Sequence, residues 1–260
     1  MHPYLHIIGL ELPMYGIMIF LGIITANVVA FFVSKKYDTD FFDVILVEIY
    51  GIVGAFLGSK ILFLITAYKS IAWEKIFEFK YFMEVLQNGF VFYGGLAVAI
   101  LFILLGGKIH KLETFKILRR FIFMIPIMHA FGRVGCFMAG CCYGRPYRGW
   151  GSVTFPDGSQ APSGDSLFPV QLVEAILVLI IAILILTLQM KKYFYYTIEL
   201  YLLTYSIIRF ALEFLRYDAI RGEALGLSTS QWISIVVFVG TLIYLLRNIK
   251  NRKNYVSKER

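Results

Sequence analysis

Charge is scarce in this chain. Only 16% of its 260 residues are Asp, Glu, Lys or Arg, while 59% are hydrophobic and the mean hydropathy is +0.73. Soluble domains carry about a quarter charged residues, so this balance excludes a water-soluble globular domain and implies an integral membrane protein. Internal repeats, linkers and low-complexity tracts are missing too, so 1–260 reads as a single polytopic membrane domain. No basic domain stands clear of the apolar stretches, which argues against nucleic-acid binding despite a net charge of +8. The N-terminus lacks a charged n-region and a convincing cleavage site, so the first apolar stretch is expected to be retained as a span. Cysteine is limited to Cys136, Cys141 and Cys142.

Long apolar stretches are what the chain has in quantity. Seven, near 13–33, 43–67, 89–106, 119–138, 168–189, 196–215 and 229–247, approach or exceed the roughly 20 residues that cross a bilayer core. The expected architecture is an all-α membrane protein of about seven transmembrane helices. Lys35, Lys36, Lys108, Lys111, Lys116, Arg119, Arg120, Lys191, Lys192 and the basic tail after the last stretch then share one side. Far fewer lysines and arginines fall on the other. Positive charge marks the cytoplasmic face, so the C-terminus is expected in the cytoplasm and the N-terminus outside. The simplest compartment is a bacterial plasma membrane, its basic tails near anionic headgroups.

Between the stretches, HIIGLELP ahead of the first is too short to span and reads as an amphipathic piece on the outer surface. Gly51, Gly54 and Gly58 form a small-residue ladder suited to close helix packing. The 69–88 connection alternates apolar and charged residues at helical spacing, as an interfacial helix would. Residues 139–167 are rich in Gly, Ser and Pro and read as a small irregular extracytoplasmic insertion, with a hairpin around Asp157-Gly158.

The stretch 126–146, PIMHAFGRVGCFMAGCCYGRP, concentrates the chemistry. His129, Arg133 and Cys136 are spaced four and three apart and share one helical face. Arg209, Glu213 and Arg216 repeat that spacing near the end of the sixth stretch, where Arg209 and Glu213 can pair. An arginine inside a membrane costs a few kcal/mol and is rarely there without a partner or a task. Two such guanidinium groups facing one cavity suit an anion, and the anion available in a bilayer is a lipid phosphate. Plainer readings stand beside this one. Arg145 and Arg216 fit snorkelling anchors, and His129 fits a packing residue as well as a base.

The cysteines admit several readings. Buried packing comes first. A disulfide from Cys136 to Cys141 or Cys142 comes next, the vicinal pair being strained. A thiolate activated by Arg133 and Arg145 is third. Zinc held by the three cysteines and His129 fits the ligand types but not the usual spacing, so neither metal nor cofactor is expected.

These residues resemble the prolipoprotein diacylglyceryl transferase family from the first span to the last. LPMYGIMIFLG carries its Tyr-Gly pair at Tyr15 and Gly16, and QNGFVFYGGL at 87–96 matches a segment ending His-Gly-Gly. GRVGCFMAGCCYGRP at 132–146 matches the signature usually written GR-x-GNF-x-N-GE-x-x-GR. LFPVQLVEA at 167–175 resembles PSQ-x-x-E, and YSIIRFALEFLRYD at 205–218 resembles RF-x-x-EFFR. Tyr15, Gly94, Gly95, Arg133, Gln171, Glu174, Arg209, Glu213 and Arg216 are kept. Tyr93 replaces the histidine, Cys136 and Ala139 the two asparagines, and Cys141 the glutamate; Lys60 and Phe168 also depart.

The resemblance implies transfer of the diacylglyceryl group of phosphatidylglycerol to the thiol of a lipobox cysteine in a prolipoprotein, towards the outer leaflet. Arg133 and Arg209 would meet the departing phosphate. Tyr93 is a poor base at neutral pH, so His129 is the expected proton acceptor, with Tyr93 orienting the headgroup or glycerol backbone. Tyr15, Gly94, Gly95, Gly132, Cys136, Cys141, Arg145, Gln171, Glu213 and Arg216 would line the substrate site. Two alternatives keep the fold: transfer to another acceptor, including the protein's own Cys136 or Cys141, and a non-catalytic protein that binds anionic lipid.

Overall fold

The computed structural model describes residues 3–7, 10–87, 89–191, 195–217 and 223–256. Each expected apolar stretch forms a helix, except that the fourth is two. The helices are α1 (Met14–Lys36), α2 (Phe41–Thr66), α3 (Phe79–Gln87), α4 (Phe92–Ile109), α5 (Thr114–Phe121), α6 (Met124–Ala139), α7 (Val170–Met190), α8 (Thr197–Glu213) and α9 (Thr229–Val256). Five of them (α1, α2, α4, α7 and α9) are long and apolar enough to cross a membrane, and the bent pair α5–α6 would make a sixth. The remaining expected span, α8, has 17 residues, at the lower end of what crosses a bilayer core. The break at 122–123 is absent from the sequence reading. It precedes Pro126, which lacks an N–H and is tolerated only in a helix's first turn.

The N-terminal piece is a hairpin, β1 (Tyr4–Ile7) against β2 (Leu10–Pro13), with Tyr4 opposite Pro13. The 69–88 connection is helical only in part: a 3-10 turn at Trp73–Lys75, then α3. In the 139–167 insertion, β3 (Val153–Thr154) pairs with β4 (Ser166–Leu167), so a hairpin forms with a longer loop than a tight Asp157-Gly158 turn. A last small hairpin, β5 (Glu223–Ala224) with β6 (Leu227–Ser228), leads into α9.

The chain divides into two compact units, Phe31–Leu118 and Met1–Ala30 with Arg119–Arg260. In the first, α2 and α4 pack through glycine. A methyl group at Gly58 would overlap the carbonyl oxygen of Gly94, and one at Gly94 would overlap that of Gly58. The two backbones therefore touch where side chains would normally hold them apart. Lys60, also on α2, donates to the carbonyls of Val85 and Gly89 at 2.9 and 3.4 Å.

The second unit is built on α6, α7, α8 and α9, with the first part of α1. Between Ala175 and Leu186 helix α7 is wholly apolar, and Val178, Ala182 and Ile185 are fully buried. Arg119 on α5 forks onto Glu199 in the first turn of α8 with both contacts at 3.1 Å. Its carbonyl accepts from Gln189 and Thr197. Helix α9 begins with a reciprocal cap: Ser228 N–H donates to Gln231 Oε1 at 2.9 Å, and Gln231 N–H donates to Ser228 Oγ at 3.2 Å. That cap fixes Ser230, one of the residues facing the site. The many exposed apolar side chains, such as Phe20 and Phe32 on α1 and Ile176 and Ile183 on α7, suit helices that face acyl chains.

Candidate functional site

The carboxylate of Glu174, 1% exposed in the second turn of α7, gathers the charged side chains of the second unit. Its Oε1 lies 3.0 Å from Arg133 Nη2, accepts from the Tyr205 hydroxyl at 3.0 Å and stands 3.5 Å from His129 Nε2. Its Oε2 faces Arg209 Nη1 at 3.9 Å. Three helices thus contribute to one cluster: α6 with His129 and Arg133, α7 with Glu174, α8 with Tyr205 and Arg209. The shared face expected for His129 and Arg133 is present, since Arg133 Nε donates to His129 Nε2 at 3.3 Å. The expected pairing of Arg209 with Glu213 is present at 2.7 Å. Arg209 Nη2 also reaches Ser230 Oγ at 3.0 Å, whereas its buried Nη1 makes no hydrogen bond among the described residues.

Sequence reasoning kept Glu174 as a matching position but gave it no place in the site, and it did not single out Tyr205 or Ser230. A carboxylate within a long and mostly apolar helix is a signal in itself, because such a group demands a cationic partner. Arg133, whose own helix offers the imidazole of His129 but no carboxylate, finds its counter-ion there.

Arg216 departs from the expected stripe. Helix α8 ends at Glu213, and Arg216 lies beyond it, its backbone bridged to Gly144. Around that bridge Arg145 N–H donates to the Leu215 carbonyl at 2.9 Å and Tyr217 N–H to the Tyr143 carbonyl at 3.1 Å. On the opposite edge Phe168 N–H donates to the Arg145 carbonyl at 3.0 Å. Segment 143–147 is therefore held between 215–217 and 166–168. Gly144 allows this, since a Cβ there would collide with the carbonyls of Phe168 and Leu215. The side chain of Arg145 is exposed.

The cysteines follow directly from the end of α6. Gly140 takes the left-handed conformation at φ 70° and its N–H bonds to Phe137, while Cys141 N–H returns to the Cys136 carbonyl at 3.1 Å. This six-to-one closure folds the chain back on the last helical turn. Cys142 is left-handed as well, at φ 58°. All three thiols are free, and their sulfurs lie within 4.8 Å of one another. His129 is engaged by Arg133 and Glu174 and is not part of that group. Hydrogen bonds from Cys136 and Cys141 draw the Cys142 thiol below its ordinary range, and Arg216 and Arg133 act the same way. Gln171, 1% exposed, donates to the Cys141 carbonyl at 2.7 Å and pins this loop to α7.

Of the other expected site residues, Tyr15 and Gly132 are in the same unit. A Cβ at Gly135 would stand 3.2 Å from Tyr15 Cα, and one at Gly132 would stand 3.5 Å from Ile19, so these glycines seat α1 on α6. Tyr93, Gly94 and Gly95 lie on the first turn of α4 in the other unit. An apolar groove of about 330 Å³ runs between α1, α6 and α7, lined by Met18, Ala130, Val134, Leu172 and Ala175 among others.

Two arginines from separate helices thus share one buried carboxylate. Residues 3–247 match the family model described as prolipoprotein diacylglyceryl transferase. The chain is 36% identical over 253 residues to phosphatidylglycerol–prolipoprotein diacylglyceryl transferase 2 of Clostridium perfringens, covering 95% of each chain. It is 33% identical over 247 residues to the phosphatidylglycerol–prolipoprotein diacylglyceryl transferase of Clostridium tetani, covering 94% of this chain and 97% of that one. The corresponding protein of Clostridioides difficile is 29% identical over 255 residues, covering 96% of each. The chain belongs to the prolipoprotein diacylglyceryl transferase family.

Proposed function

We propose that this protein moves the diacylglyceryl group of phosphatidylglycerol onto the lipobox cysteine thiol of a prolipoprotein, at the outer leaflet of a bacterial plasma membrane. The observation that carries the reading is the convergence of Arg133 and Arg209, from separate helices, on one carboxylate, with Arg209 Nη1 lacking a hydrogen-bond partner among the described residues. A phosphodiester entering between them offers two oxygens where Glu174 now offers two, and it can take the idle N–H at once. Glu174 holds the guanidinium groups in place before lipid arrives, so little reorganisation remains when charge develops on the leaving phosphate. The groove between α1, α6 and α7 takes an acyl chain.

The reaction forms a carbon–sulfur bond at the glycerol carbon next to the phosphate and breaks that carbon's bond to oxygen. Glycerol phosphate leaves with the electron pair. The acceptor thiol must lose its proton, and His129 is the side chain of the cluster suited to receive it near neutral pH. Arg133 occupies Nε2 at rest and releases it on turning to the phosphate. Glu213 and Ser230 then hold Arg209 alone.

The test is mass spectrometry of a lipobox peptide incubated with the purified protein and phosphatidylglycerol. A diacylglyceryl adduct on the peptide, lost together with lipid binding in Arg133→Lys, is the expected result. Lipid binding without any adduct, or an adduct confined to the protein's own cysteines, overturns it.

A further inference from the structure

Three thiols meeting at one point have no task in the scheme above. Cys136, on the last turn of α6, is 8% exposed, while Cys141 and Cys142 are partly open to the surroundings. Their sulfurs lie within 4.8 Å of one another. Around a zinc ion with bonds of about 2.3 Å, tetrahedral thiolate sulfurs sit about 3.8 Å apart, so the triad needs to contract by less than about 1 Å. Among the described residues no histidine or carboxylate completes the set. Three protein ligands with one position left over is the pattern of a catalytic zinc site, whereas structural sites are closed by four.

We propose that Cys136, Cys141 and Cys142 hold a thiophilic divalent cation of the zinc type, and that the acceptor cysteine of the prolipoprotein binds it as the fourth ligand. This rests on the transferase reading and names how its nucleophile is prepared. Arg133 precedes Cys136 by three residues on one face of α6, about 4.5 Å along the axis. A sulfur bound at the triad therefore arrives beside the phosphate that Arg133 meets. The rigid supports are in place: the closure at Gly140 sets Cys141 against Cys136, and buried Gln171 clamps the Cys141 carbonyl.

The chemistry balances without any oxidant. The incoming thiol displaces a water from the metal and its proton passes through water to His129. Coordination deprotonates a thiol outright, so the sulfur waits as a thiolate. It then attacks the diacylglyceryl carbon, and glycerol phosphate departs while the metal keeps its oxidation state. The same residues explain how the chain dispenses with the histidine and glutamate that its resemblance led one to expect at Tyr93 and Cys141.

The full-length protein, purified reduced in detergent and stripped with a chelator, is titrated with Co2+ and followed by its thiolate-to-cobalt absorption. One equivalent should bind, Cys142→Ser and Cys136→Ser should lose it, and Cys142→His, which supplies another ligand, should retain it. Unchanged helicity by circular dichroism shows that each variant is folded. A lipobox peptide should shift the spectrum, and the same peptide with serine for cysteine should not. Transfer by stripped protein should fall about 100-fold, the scale of a lost ionisation step, and return with Zn2+. Full transfer by metal-free protein overturns the inference while leaving the transferase reading intact. So does a single free thiol per unfolded chain in protein isolated without reductant, which would mean a disulfide. A loaded protein whose spectrum responds to peptide but which makes no adduct sinks the transferase reading and the metal's role with it.

Discussion

Arg133 on α6 and Glu174 on α7 are joined at 3.0 Å, with the carboxylate 1% exposed. Neither charge could be left alone at this depth, so the pair ties two helices together while keeping a guanidinium ready for phosphate. Removing one partner of a buried pair leaves the other uncompensated, and costs about 3–5 kcal/mol. Glu174→Gln should lower the melting temperature in detergent sharply, more than Arg209→Gln, whose carboxylate Glu213 is nearer the end of its helix. Phosphatidylglycerol should restore part of the loss, because the lipid phosphate replaces the missing counter-charge. A thermal melt with and without that lipid reads both effects. A melting temperature equal to the parent's would show that Glu174 is not the hub.

What the sequence disclosed about this cluster depended on distance along the chain. The Arg209–Glu213 and His129–Arg133 contacts are four residues apart on single helices, and helical periodicity alone places them together. The Arg133–Glu174 contact spans 41 residues and depends on which faces of α6 and α7 meet, which no local period encodes. Spans were legible because long apolar stretches have few alternatives. Their ends were less so: α8 stops at Glu213, and that puts Arg216 in a bridge to Gly144 where a continued stripe was expected. The break between α5 and α6 hid inside an unbroken apolar stretch, marked only by Pro126. The triad of thiols was visible as a cluster of letters, but its convergence needed the left-handed turns at Gly140 and Cys142.

Gly58 and Gly51 lie on the same ladder and should respond differently to a methyl group. At Gly58 the added carbon would overlap the Gly94 backbone, which has nowhere to go. At Gly51 it would meet only the tip of Ile103 at 3.2 Å, a flexible end that can turn aside. Gly58→Ala should destabilise by about 1–3 kcal/mol through overpacking. Gly51→Ala should be neutral or gain up to about 1 kcal/mol from better helix propensity. Denaturation curves of the two variants decide it, and equal stability for both would mean that α2 and α4 do not touch through glycine.

Gln171 should control the thiol loop. Its Nε2 donates to the Cys141 carbonyl at 2.7 Å from a fully packed position on α7. Gln171→Leu keeps most of the volume and removes the clamp, at a cost of about 1–2 kcal/mol for the stranded carbonyl. Alkylation of Cys141 and Cys142 should then speed up several-fold at constant pH, with the reaction at Cys136 changed least because that side chain stays on the helix. Peptide mapping after timed alkylation gives the three rates separately. Parallel acceleration at all three would point to general loosening of α6 instead.

His129 offers a way to separate holding Arg133 from taking a proton. The imidazole accepts from Arg133 Nε at 3.3 Å, and a glutamine side chain can supply an oxygen acceptor of similar reach, yet glutamine cannot titrate. His129→Gln should therefore bind phosphatidylglycerol with the parent's affinity while transfer at neutral pH falls about 10- to 100-fold, the scale of a lost proton acceptor. Raising the pH should recover the rate, since the acceptor thiol then ionises without help. His129→Leu should lose lipid affinity as well, because Arg133 is left without its acceptor. If His129→Gln transfers at the full rate at neutral pH, the imidazole only positions Arg133, and proton removal must be assigned elsewhere in the site.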